Sequence, residues 1–382
     1  MSFESLGLSE SLLKAIAKQQ YPAPFPIQEQ AIPAILAGHD IQGIAQTGSG
    51  KTASFVLPIL ELFQRKKETR SLHLKVLILA PTRELVLQIS EVISMFSENL
   101  PIKVKNMAVF GGIPINQQIA KLKDTEILVA TPGRLLDLIF TQSVSLKRVE
   151  MLVLDEADKM LDLGFEEEMN DVLSLLPKKR QNILFSATLD TKLTVIKDRL
   201  LSEPVKIEIE AEVVNIDQIK QTAYLVEPDR KGPLLRYLIK TQEMTQVLVF
   251  VSSTRTADNV VDKLKKNGIS ALAIHSKKSQ GARTEALQSF KKGKLNVLVA
   301  TDLASRGIDI AFLPFVINYE LPRSPKDYVH RIGRTGRANA SGEALSLVSP
   351  EEEHHFRIIE KKMGKKVEKI DMAEEKAFEK YY

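Results

Sequence analysis

Short, β-rich apolar runs alternate with amphipathic stretches along most of this chain. The first half contains the runs KVLILAP, EILVATP, MLVLDE and NILFSAT, which begin at residues 75, 126, 151 and 182. The second half repeats the plan with QVLVFVSS, ALAIHS, NVLVATD and FVINYE, which begin at residues 246, 271, 296 and 315. Buried strands separated by helical patterns are typical of parallel sheets covered by helices. The pattern therefore predicts two doubly wound α/β domains.

The length of the chain supports the same division. Domains usually contain about 100 to 200 residues, and this chain has 382. The segment 202–221 holds one more strand pattern and then a charged stretch without a clear period. We therefore predict an N-terminal domain at 1–208, a linker at 209–216, a C-terminal domain at 217–370 and a tail at 371–382.

The composition excludes several classes of protein. No apolar run approaches the roughly 20 residues that span a bilayer, and the opening MSFESLGLSESLLKAI lacks the basic-then-apolar order of a signal peptide. The chain has no cysteine, so disulfides and thiolate metal sites are ruled out, and its six histidines are not spaced as metal ligands. We expect a cytoplasmic protein that does not enter a membrane.

Charge is distributed unevenly between the two halves. Residues 1–208 carry 24 basic and 25 acidic side chains, whereas residues 209–382 carry 29 basic and 23 acidic ones. A basic half suggests a polyanionic partner, because clustered lysines and arginines attract such molecules. The lysines of EKKMGKKVEK, 360–369, could extend such a contact or belong to a solvated helix end.

The stretch AQTGSGKT, 45–52, fits the phosphate-loop pattern G-x-x-x-x-G-K-[ST] except at its first position. Glycines allow backbone N–H groups to turn toward an anion, and the following helix adds its positive end. Lys51 can reach terminal phosphates, and the Thr52 hydroxyl can hold Mg²⁺. A chance glycine-rich turn is the alternative. The predicted nucleotide ligands are Gln46, Thr47, Gly48, Ser49, Gly50, Lys51 and Thr52.

Two acidic residues follow the apolar run MLVL. Asp155 stands where a phosphate-loop enzyme needs a carboxylate to support Mg²⁺, and Glu156 could orient or deprotonate an attacking water. A solvated acidic turn is the alternative, but it does not explain a position at the end of a strand. Together, the loop and the two carboxylates favour hydrolysis of a nucleoside triphosphate.

Several predicted strands end in polar or glycine-containing segments. In open parallel sheets, ligands bind beyond the carboxyl ends of the strands. We therefore expect these segments to line a cleft in which two facing domains hold the nucleotide. The segments are Pro81–Arg83, Thr131–Arg134, Asp155–Glu156, Ser186–Thr188 and Thr301–Asp302.

From Phe3 to about Arg337, the motifs have the order and spacing of DEAD-box RNA helicases of helicase superfamily 2, and the chain resembles that family. Asp158 completes the tetrapeptide DEAD, and alanine at position 45 is the family's own usage. The resemblance implies two tandem RecA-like domains, each a mostly parallel sheet with helices on both faces. It also implies ATP and Mg²⁺ as ligands, with Thr52 and Asp155 nearest the metal.

The segment YPAPFPIQ, 21–28, resembles the family's adenine-recognition motif. By this resemblance, Gln28 reads the adenine edge and an upstream aromatic residue, here Phe3, stacks on or near the base. ATP rather than GTP is therefore implied. Gln20 stands where the family often has glycine, which is a mild departure. An ordinary exposed glutamine at a helix start is the alternative for Gln28.

Further segments resemble the family's contacts with a nucleic-acid backbone. Hydroxyls, backbone N–H groups and arginines suit phosphates, which fix position without reading sequence. The family's recognition of ribose 2′-hydroxyls implies RNA over DNA. Surface ion pairing is the alternative for Arg83 and Arg134, and Ser276, where the family commonly has glycine, could weaken a close approach of RNA. The implied RNA-binding residues are Pro81, Thr82, Arg83, Gly112, Thr131, Arg134, Gln280, Arg283, Thr301 and Arg306.

The segment HRIGRTGR, 330–337, is the most specific motif of the second half. The resemblance implies that Arg334 and Arg337 approach the γ-phosphate as arginine fingers and that Asp309 faces the ribose of ATP. A basic surface turn is the alternative for the two arginines. The catalytic set is then Lys51, Asp155, Glu156, Arg334 and Arg337. The implied coupling residues are Asp158, Ser186, Thr188 and His330, with the tripeptide SAT hydrogen-bonded to the DEAD segment.

Taken with the resemblance, the motifs predict an ATP-dependent RNA helicase. It would bind single-stranded RNA and locally unwind short duplexes by ATP-driven closure of its two domains. An ATP-gated RNA clamp or assembly scaffold with little unwinding has the same motifs and stays open as the alternative. A translocating DNA motor is disfavoured by the DEAD tetrapeptide and the adenine motif. We expect a monomer whose partners are RNA and ribonucleoprotein or RNA-decay complexes.

Overall fold

The computed structural model describes residues 2–45, 49–66, 73–98, 100–188, 191–209, 219–302, 313–335, 342–372, 375 and 378. The chain divides into two compact units, unit 1 (Met1–Ala211) and unit 2 (Glu212–Tyr382). The predicted linker, 209–216, lies outside the described residues except for Ile209. Six predicted site residues also lie outside them, namely Gln46, Thr47, Gly48, Arg306, Asp309 and Arg337.

Unit 1 alternates strands and helices. Its strands are β1 (Ile41–Ile44), β2 (Val76–Leu79), β3 (Asn106–Val109), β4 (Ile127–Ala130), β5 (Met151–Leu154), β6 (Gln181–Ser186) and β7 (Val205–Glu208). Its helices are α1 (Glu10–Lys18), α2 (Pro26–Leu36), α3 (Lys51–Arg65), α4 (Arg83–Ser97), α5 (Ile115–Ile119), α6 (Pro132–Phe140), α7 (Ala157–Asp162), α8 (Glu166–Leu175) and α9 (Thr191–Leu200).

Unit 2 follows the same plan. Its strands are β8 (Ile219–Leu225), β9 (Val247–Val251), β10 (Ala271–Ile274), β11 (Val297–Thr301), β12 (Phe315–Asn318), β13 (Gly342–Val348) and β14 (Glu368–Asp371). Its helices are α10 (Lys231–Thr241), α11 (Thr254–Lys266), α12 (Gln280–Lys291), α13 (Pro325–Ile332) and α14 (Glu353–Met363). The described residues also contain short 3-10 turns at Phe3–Leu6, Pro228–Arg230 and Pro350–Glu352.

The two sheets have the same topology. Their strand orders are β3-β4-β2-β5-β6-β1-β7 and β10-β11-β9-β12-β13-β8-β14, and every described pairing is parallel. Each strand of unit 1 therefore has a counterpart seven strands later. The carboxyl ends of all strands in a sheet meet at one edge, which is where ligands bind in such sheets. The predicted fold of two tandem RecA-like domains is confirmed.

Helices cover both faces of each sheet. Along β2, Val76 and Ile78 enter one hydrophobic core and Leu77 and Leu79 enter another, because successive strand side chains point to opposite faces. Helices α1–α4 complete the first core and α6–α9 the second. Alternate residues of β9 divide in the same way between two cores of unit 2.

Part of the predicted tail packs into unit 2. Met372 and Phe378 are buried in one of its cores, and the Arg230 guanidinium carbon lies 4.6 Å from the centroid of the Phe378 ring. The lysine-rich stretch 360–369 spans the end of α14 and the start of β14 rather than a helix end alone. Among the described residues, no helix is both long and apolar enough to cross a bilayer.

Candidate functional site

The described part of the phosphate loop leads directly into α3. Gly50 caps this helix with φ +87°, a left-handed conformation that favours glycine. Lys51, the first residue of α3, is buried, and its Nζ donates a hydrogen bond of 2.8 Å to the Ala45 carbonyl. Half-buried Thr52 follows. Both side chains therefore start at the positive end of a 15-residue helix, which suits an anionic ligand.

Gln28 connects the adenine-recognition motif with the phosphate loop. Its Oε1 accepts a 3.0 Å hydrogen bond from the Phe25 backbone N–H, and its Nε2 donates to the Gly50 carbonyl at 3.1 Å. A Cβ atom at Gly50 would lie only 2.6 Å from this Nε2, so the contact also requires glycine there. Gln28 is fully buried. It is therefore not the exposed helix-start glutamine that was the alternative.

The aromatic residue expected beside the base occupies a core position. Phe3 is 6% exposed, and its ring meets Tyr21 edge-on at a centroid distance of 6.4 Å. Little of the ring is left for a ligand. By contrast, Phe25 is 47% exposed, and its Cδ2 would lie 2.8 Å from a Cβ atom at Gly50. The exposed ring beside the phosphate loop is Phe25, which the sequence prediction missed although it lies within PFPIQ.

Asp155 presents a buried oxygen to the site. It directly follows β5 and is 2% exposed, and its Oδ1 accepts no hydrogen bond from the described residues. Burial raises the pKa of Asp155 to about 6, an effect that the positive charge of Lys51 opposes. A buried carboxylate oxygen without a donor is costly unless a ligand satisfies it. Mg²⁺ prefers carboxylate and hydroxyl oxygens and usually takes only one or two protein carboxylates, so Asp155 and Thr52 fit that ion.

Glu156 has a strained backbone. Its φ of +54° and ψ of +48° lie in the left-handed region, at a cost of roughly 1–3 kcal/mol for a residue other than glycine. Such strain persists where the surrounding fold enforces it, and it clusters at active sites. The Glu156 carboxylate is buried and lies 2.9 Å from Lys159 Nζ, one turn along α7. This backbone conformation sets the direction in which the Glu156 side chain leaves the chain, directly after Asp155.

Asp158 joins the DEAD segment to the tripeptide SAT. Its Oδ2 accepts hydrogen bonds from the backbone N–H groups of Ala187 and Thr188, at 3.2 and 3.0 Å, and from Thr188 Oγ1 at 2.9 Å. Ser186 Oγ donates to the Thr188 carbonyl at 2.6 Å. The expected hydrogen bonds between the two segments are therefore present. They connect the residues that follow the neighbouring strands β5 and β6.

Three of the predicted RNA-binding residues of unit 1 lie around the loop after β3. Gly112 has φ +83°, and a Cβ atom there would lie 2.1 Å from Arg83 Nη1. Arg134 Nη1 donates to the Ile113 carbonyl at 2.9 Å, and its Nε donates to Asp137 at 3.2 Å. The structure therefore brings two guanidinium groups to one glycine-containing loop. An arrangement of this kind suits a phosphate.

The other RNA-binding candidates of unit 1 lie at helix starts. Thr82 caps α4 by accepting a hydrogen bond from the Leu85 N–H at 3.3 Å, and buried Pro81 precedes it. Thr131 is buried at the start of α6. These helices follow β2 and β4, which are adjacent in the sheet. Their positive ends therefore lie at the same edge as Asp155.

Three candidates of unit 2 also lie toward the carboxyl edge of their sheet. Gln280 begins α12, with Arg283 one turn later, and Thr301 ends β11. His330 is exposed on α13, and Arg334 follows that helix. Ser276 does not have a positive φ, so its backbone conformation does not call for glycine.

Arg331 is a residue that the sequence prediction missed. Its Nε and Nη2 donate to the two carboxylate oxygens of Asp302 at 2.6 and 2.7 Å. Its Nη1 donates to Asn318 Oδ1 at 3.0 Å and to the Glu320 carbonyl at 2.7 Å. Arg331 therefore ties the ends of β11 and β12 to the helix that precedes Arg334. Its place within HRIGRTGR was the available signal, but its burial depends on Asp302, 29 residues earlier.

Comparison with known proteins identifies the family. The family model described as DEAD/DEAH box helicase matches residues 25–196, and the model described as Helicase conserved C-terminal domain matches residues 230–339. The DEAD-box ATP-dependent RNA helicase CshA of Bacillus subtilis is 38% identical over 97% of this chain and 74% of its own length. The ATP-dependent RNA helicase CshA of Listeria monocytogenes is 40% identical over 96% of this chain and 70% of its own length.

Solved structures agree with these matches. S. cerevisiae Dbp5 bound to RNA and ADP BeF3 superposes with a TM-score of 0.81 at 30% identity, over 100% of this chain and 99% of that one. A DEAD box protein from the hyperthermophile Methanococcus jannaschii gives a TM-score of 0.54 at 37% identity, over 97% and 99%. The motifs, the two RecA-like sheets and these relatives lead to one conclusion. The chain belongs to the DEAD-box family of ATP-dependent RNA helicases.

Proposed function

We propose that this chain hydrolyses ATP in order to bind single-stranded RNA and locally unwind short RNA duplexes. The observation that carries the proposal is the arrangement at the end of β5. A buried Asp155 oxygen that accepts no hydrogen bond from the described residues adjoins the strained Glu156, and Asp158 accepts hydrogen bonds from the segment after β6. Unit 1 acts as the ATP-binding domain, over residues 1–208, and unit 2 as the helicase domain, over residues 217–370.

ATP binds through its phosphates to the loop that precedes α3. Lys51 and the N–H groups at the helix start hold the phosphates, Gln28 lies toward the adenine, and Thr52 and Asp155 would hold Mg²⁺. The ion, when bound, neutralises charge on the phosphate oxygens. Glu156 orients or deprotonates the attacking water. The remaining proposed nucleotide contacts are Gln46, Thr47, Gly48, Ser49, Gly50 and Asp309.

Unit 2 supplies the cations for the transition state. Arg334 and Arg337 stabilise charge on the transferring phosphoryl group, which for an arginine finger is worth about 10³ to 10⁵ in rate. Hydrolysis then depends on both units, so ATP and RNA favour the same closed state and promote each other's binding. Asp158, Ser186, Thr188 and His330 couple the two events.

RNA binds by its backbone, so the core has no strong sequence preference. Backbone contacts come from Pro81, Thr82, Arg83, Gly112, Thr131, Arg134, Gln280, Arg283, Thr301 and Arg306. The relatives are named as ATP-dependent RNA helicases, which supports unwinding over a clamp without unwinding. We further propose that the chain acts as a cytoplasmic monomer and that ribonucleoprotein or RNA-decay partners direct it to its targets.

The first test measures the ATP hydrolysis rate of the full chain alone, with single-stranded RNA and with DNA of matching sequence. Salt is held constant, because phosphate contacts depend strongly on it. Stimulation by RNA only is the expected result. Equal stimulation by DNA, or no stimulation by either, would contradict the proposed substrate. A strand-displacement assay on a short RNA duplex, with ATP present or absent, then tests unwinding itself.

A further inference from the structure

The loop between β10 and α12 is braced at both ends. His275 Nε2 and Lys278 Nζ lie 3.1 and 2.8 Å from the same oxygen, Oδ1 of Asp258 on α11. The Lys278 backbone N–H donates to the His275 carbonyl at 3.1 Å, which closes a four-residue turn. Ser279 then caps α12 by accepting from the Ala282 N–H at 3.3 Å. The turn is thus held between two helices.

Ser276 and Lys277 form the exposed tip of this turn. Lys278 is paired with Asp258, so the charge of that carboxylate is already compensated. Lys277 has no hydrogen bond or ion pair within the part of the chain that the structure describes. The turn therefore holds the backbone of Lys277, whose charge no described residue compensates, in a fixed place.

The tip lies beside the RNA-binding candidates of unit 2. It follows the carboxyl end of β10 and directly precedes α12, which begins with Gln280 and carries Arg283 one turn later. The positive end of this 12-residue helix faces the same edge of the sheet. Because phosphates follow one another along a strand, a cation just outside the helix start is placed for the phosphate next to the one held there.

We propose that Lys277 binds a backbone phosphate of single-stranded RNA adjacent to the phosphate bound at Gln280 and Arg283. This inference rests on the RNA binding proposed above. An ammonium group is a compact point charge that suits a phosphate without demanding one orientation. A braced turn also reduces the conformational entropy lost on binding. The contact lengthens the RNA footprint and adds no base preference.

The test compares Lys277→Gln with Lys292→Gln. Lys292 is an exposed lysine that caps the C-terminus of α12. Each variant therefore removes one positive charge beside one end of the same helix. Affinity for a labelled oligouridylate is measured by fluorescence anisotropy, with a non-hydrolysable ATP analogue, across a series of salt concentrations. The slope of log K against log salt is negative, and losing one phosphate contact to a single strand should reduce its magnitude by about 0.7.

We expect Lys277→Gln to make this slope shallower and to weaken oligouridylate and oligocytidylate binding equally. Lys292→Gln should leave the slope unchanged. Lys277→Arg, which keeps the charge, should have the wild-type slope. Equal effects of the two glutamine variants would reveal a general charge effect and overturn the proposal, as would an unchanged slope in Lys277→Gln. If the wild-type chain itself fails to bind RNA, the proposed function fails first, and the two failures are thereby distinguished.

Discussion

The lysines that begin α3 and α10 occupy equivalent places in two sheets of identical strand order, yet their surroundings differ. Lys51 donates to the Ala45 carbonyl and lies close enough to Asp155 to oppose the rise in its pKa. Lys231 lies 2.5 Å from Glu352 Oε2, and its Nζ donates to the Tyr319 carbonyl at 3.2 Å. Tyr319 follows β12 as Asp155 follows β5.

These surroundings explain why one of two similar units has a nucleotide site and the other does not. In unit 1, glycines precede the helix, and a buried oxygen of Asp155 accepts no hydrogen bond from the residues that the structure describes. In unit 2, the segment 226–231, VEPDRK, contains no glycine, and Glu352 neutralises the lysine internally. A lysine whose charge is already compensated attracts a phosphate poorly. We therefore expect one ATP per chain, bound in unit 1.

The largest effect should follow from removing Arg334, the proposed arginine finger of unit 2. Arg334→Ala should lower the maximal ATP hydrolysis rate by about 10³- to 10⁵-fold, because a guanidinium group no longer stabilises the transferring phosphoryl group. Affinity for ATP should barely change, since the proposed phosphate ligands lie in unit 1. Steady-state kinetics and nucleotide titration give the two values. Reduced ATP affinity at an unchanged maximal rate would contradict the arginine-finger role.

A second prediction compares Glu156 and Glu320, the acidic residues that follow the equivalent strands β5 and β12. Glu156→Gln should lower the hydrolysis rate by about 10²- to 10⁴-fold, as expected for loss of a general base, with ATP and RNA binding retained. Glu320→Gln makes the same chemical change in unit 2, two residues after β12, and should leave ATP hydrolysis near the wild-type rate. An unchanged rate in Glu156→Gln would exclude the catalytic role.

The smallest effect should come from replacing both members of the partly buried pair Lys231–Glu352 in unit 2. Lys231→Met alone leaves Glu352 without its cation and should lower the free energy of unfolding by about 3 kcal/mol. Lys231→Met combined with Glu352→Met should stay within about 1 kcal/mol of wild type and keep one ATP per chain. Urea unfolding and nucleotide titration provide the values. A large loss of ATP binding in the double variant would show that unit 2 contributes to the nucleotide site through this pair.

The same double variant should respond less to acid. Burial would raise the pKa of Glu352, but the charge of Lys231 and hydrogen bonds from Lys231 and Ser349 lower it overall, below 4.5. A carboxyl group with a lowered pKa contributes stability that is lost as the pH falls through that pKa. The wild-type chain should therefore lose more stability than the double variant as the pH falls below 4.5. Identical losses in both would exclude this pair as an acid-sensitive contact.

Some residues of the candidate site could be predicted from the sequence and others could not. Lys51, Asp155 and Glu156 were predicted because a glycine-rich loop and a strand end are local patterns. The burial of Phe3 was not predicted, since its ring packs against Tyr21, 18 residues away, rather than facing a ligand. The exposed ring of Phe25 was missed because only the folded chain brings it beside Gly50.

The fold class and the chemistry of the family could be read from the amino-acid sequence. Apolar runs indicate buried strands, and motifs of a few residues indicate the type of ligand. Both signals come from residues that are close together in the sequence. Which charges are compensated, by contrast, depends on contacts between residues that are distant in the sequence. Lys231 meets Glu352 across 121 residues, and Arg331 meets Asp302 across 29. These pairings depend on which strand ends lie side by side, and strand order is set by the packing of the whole sheet.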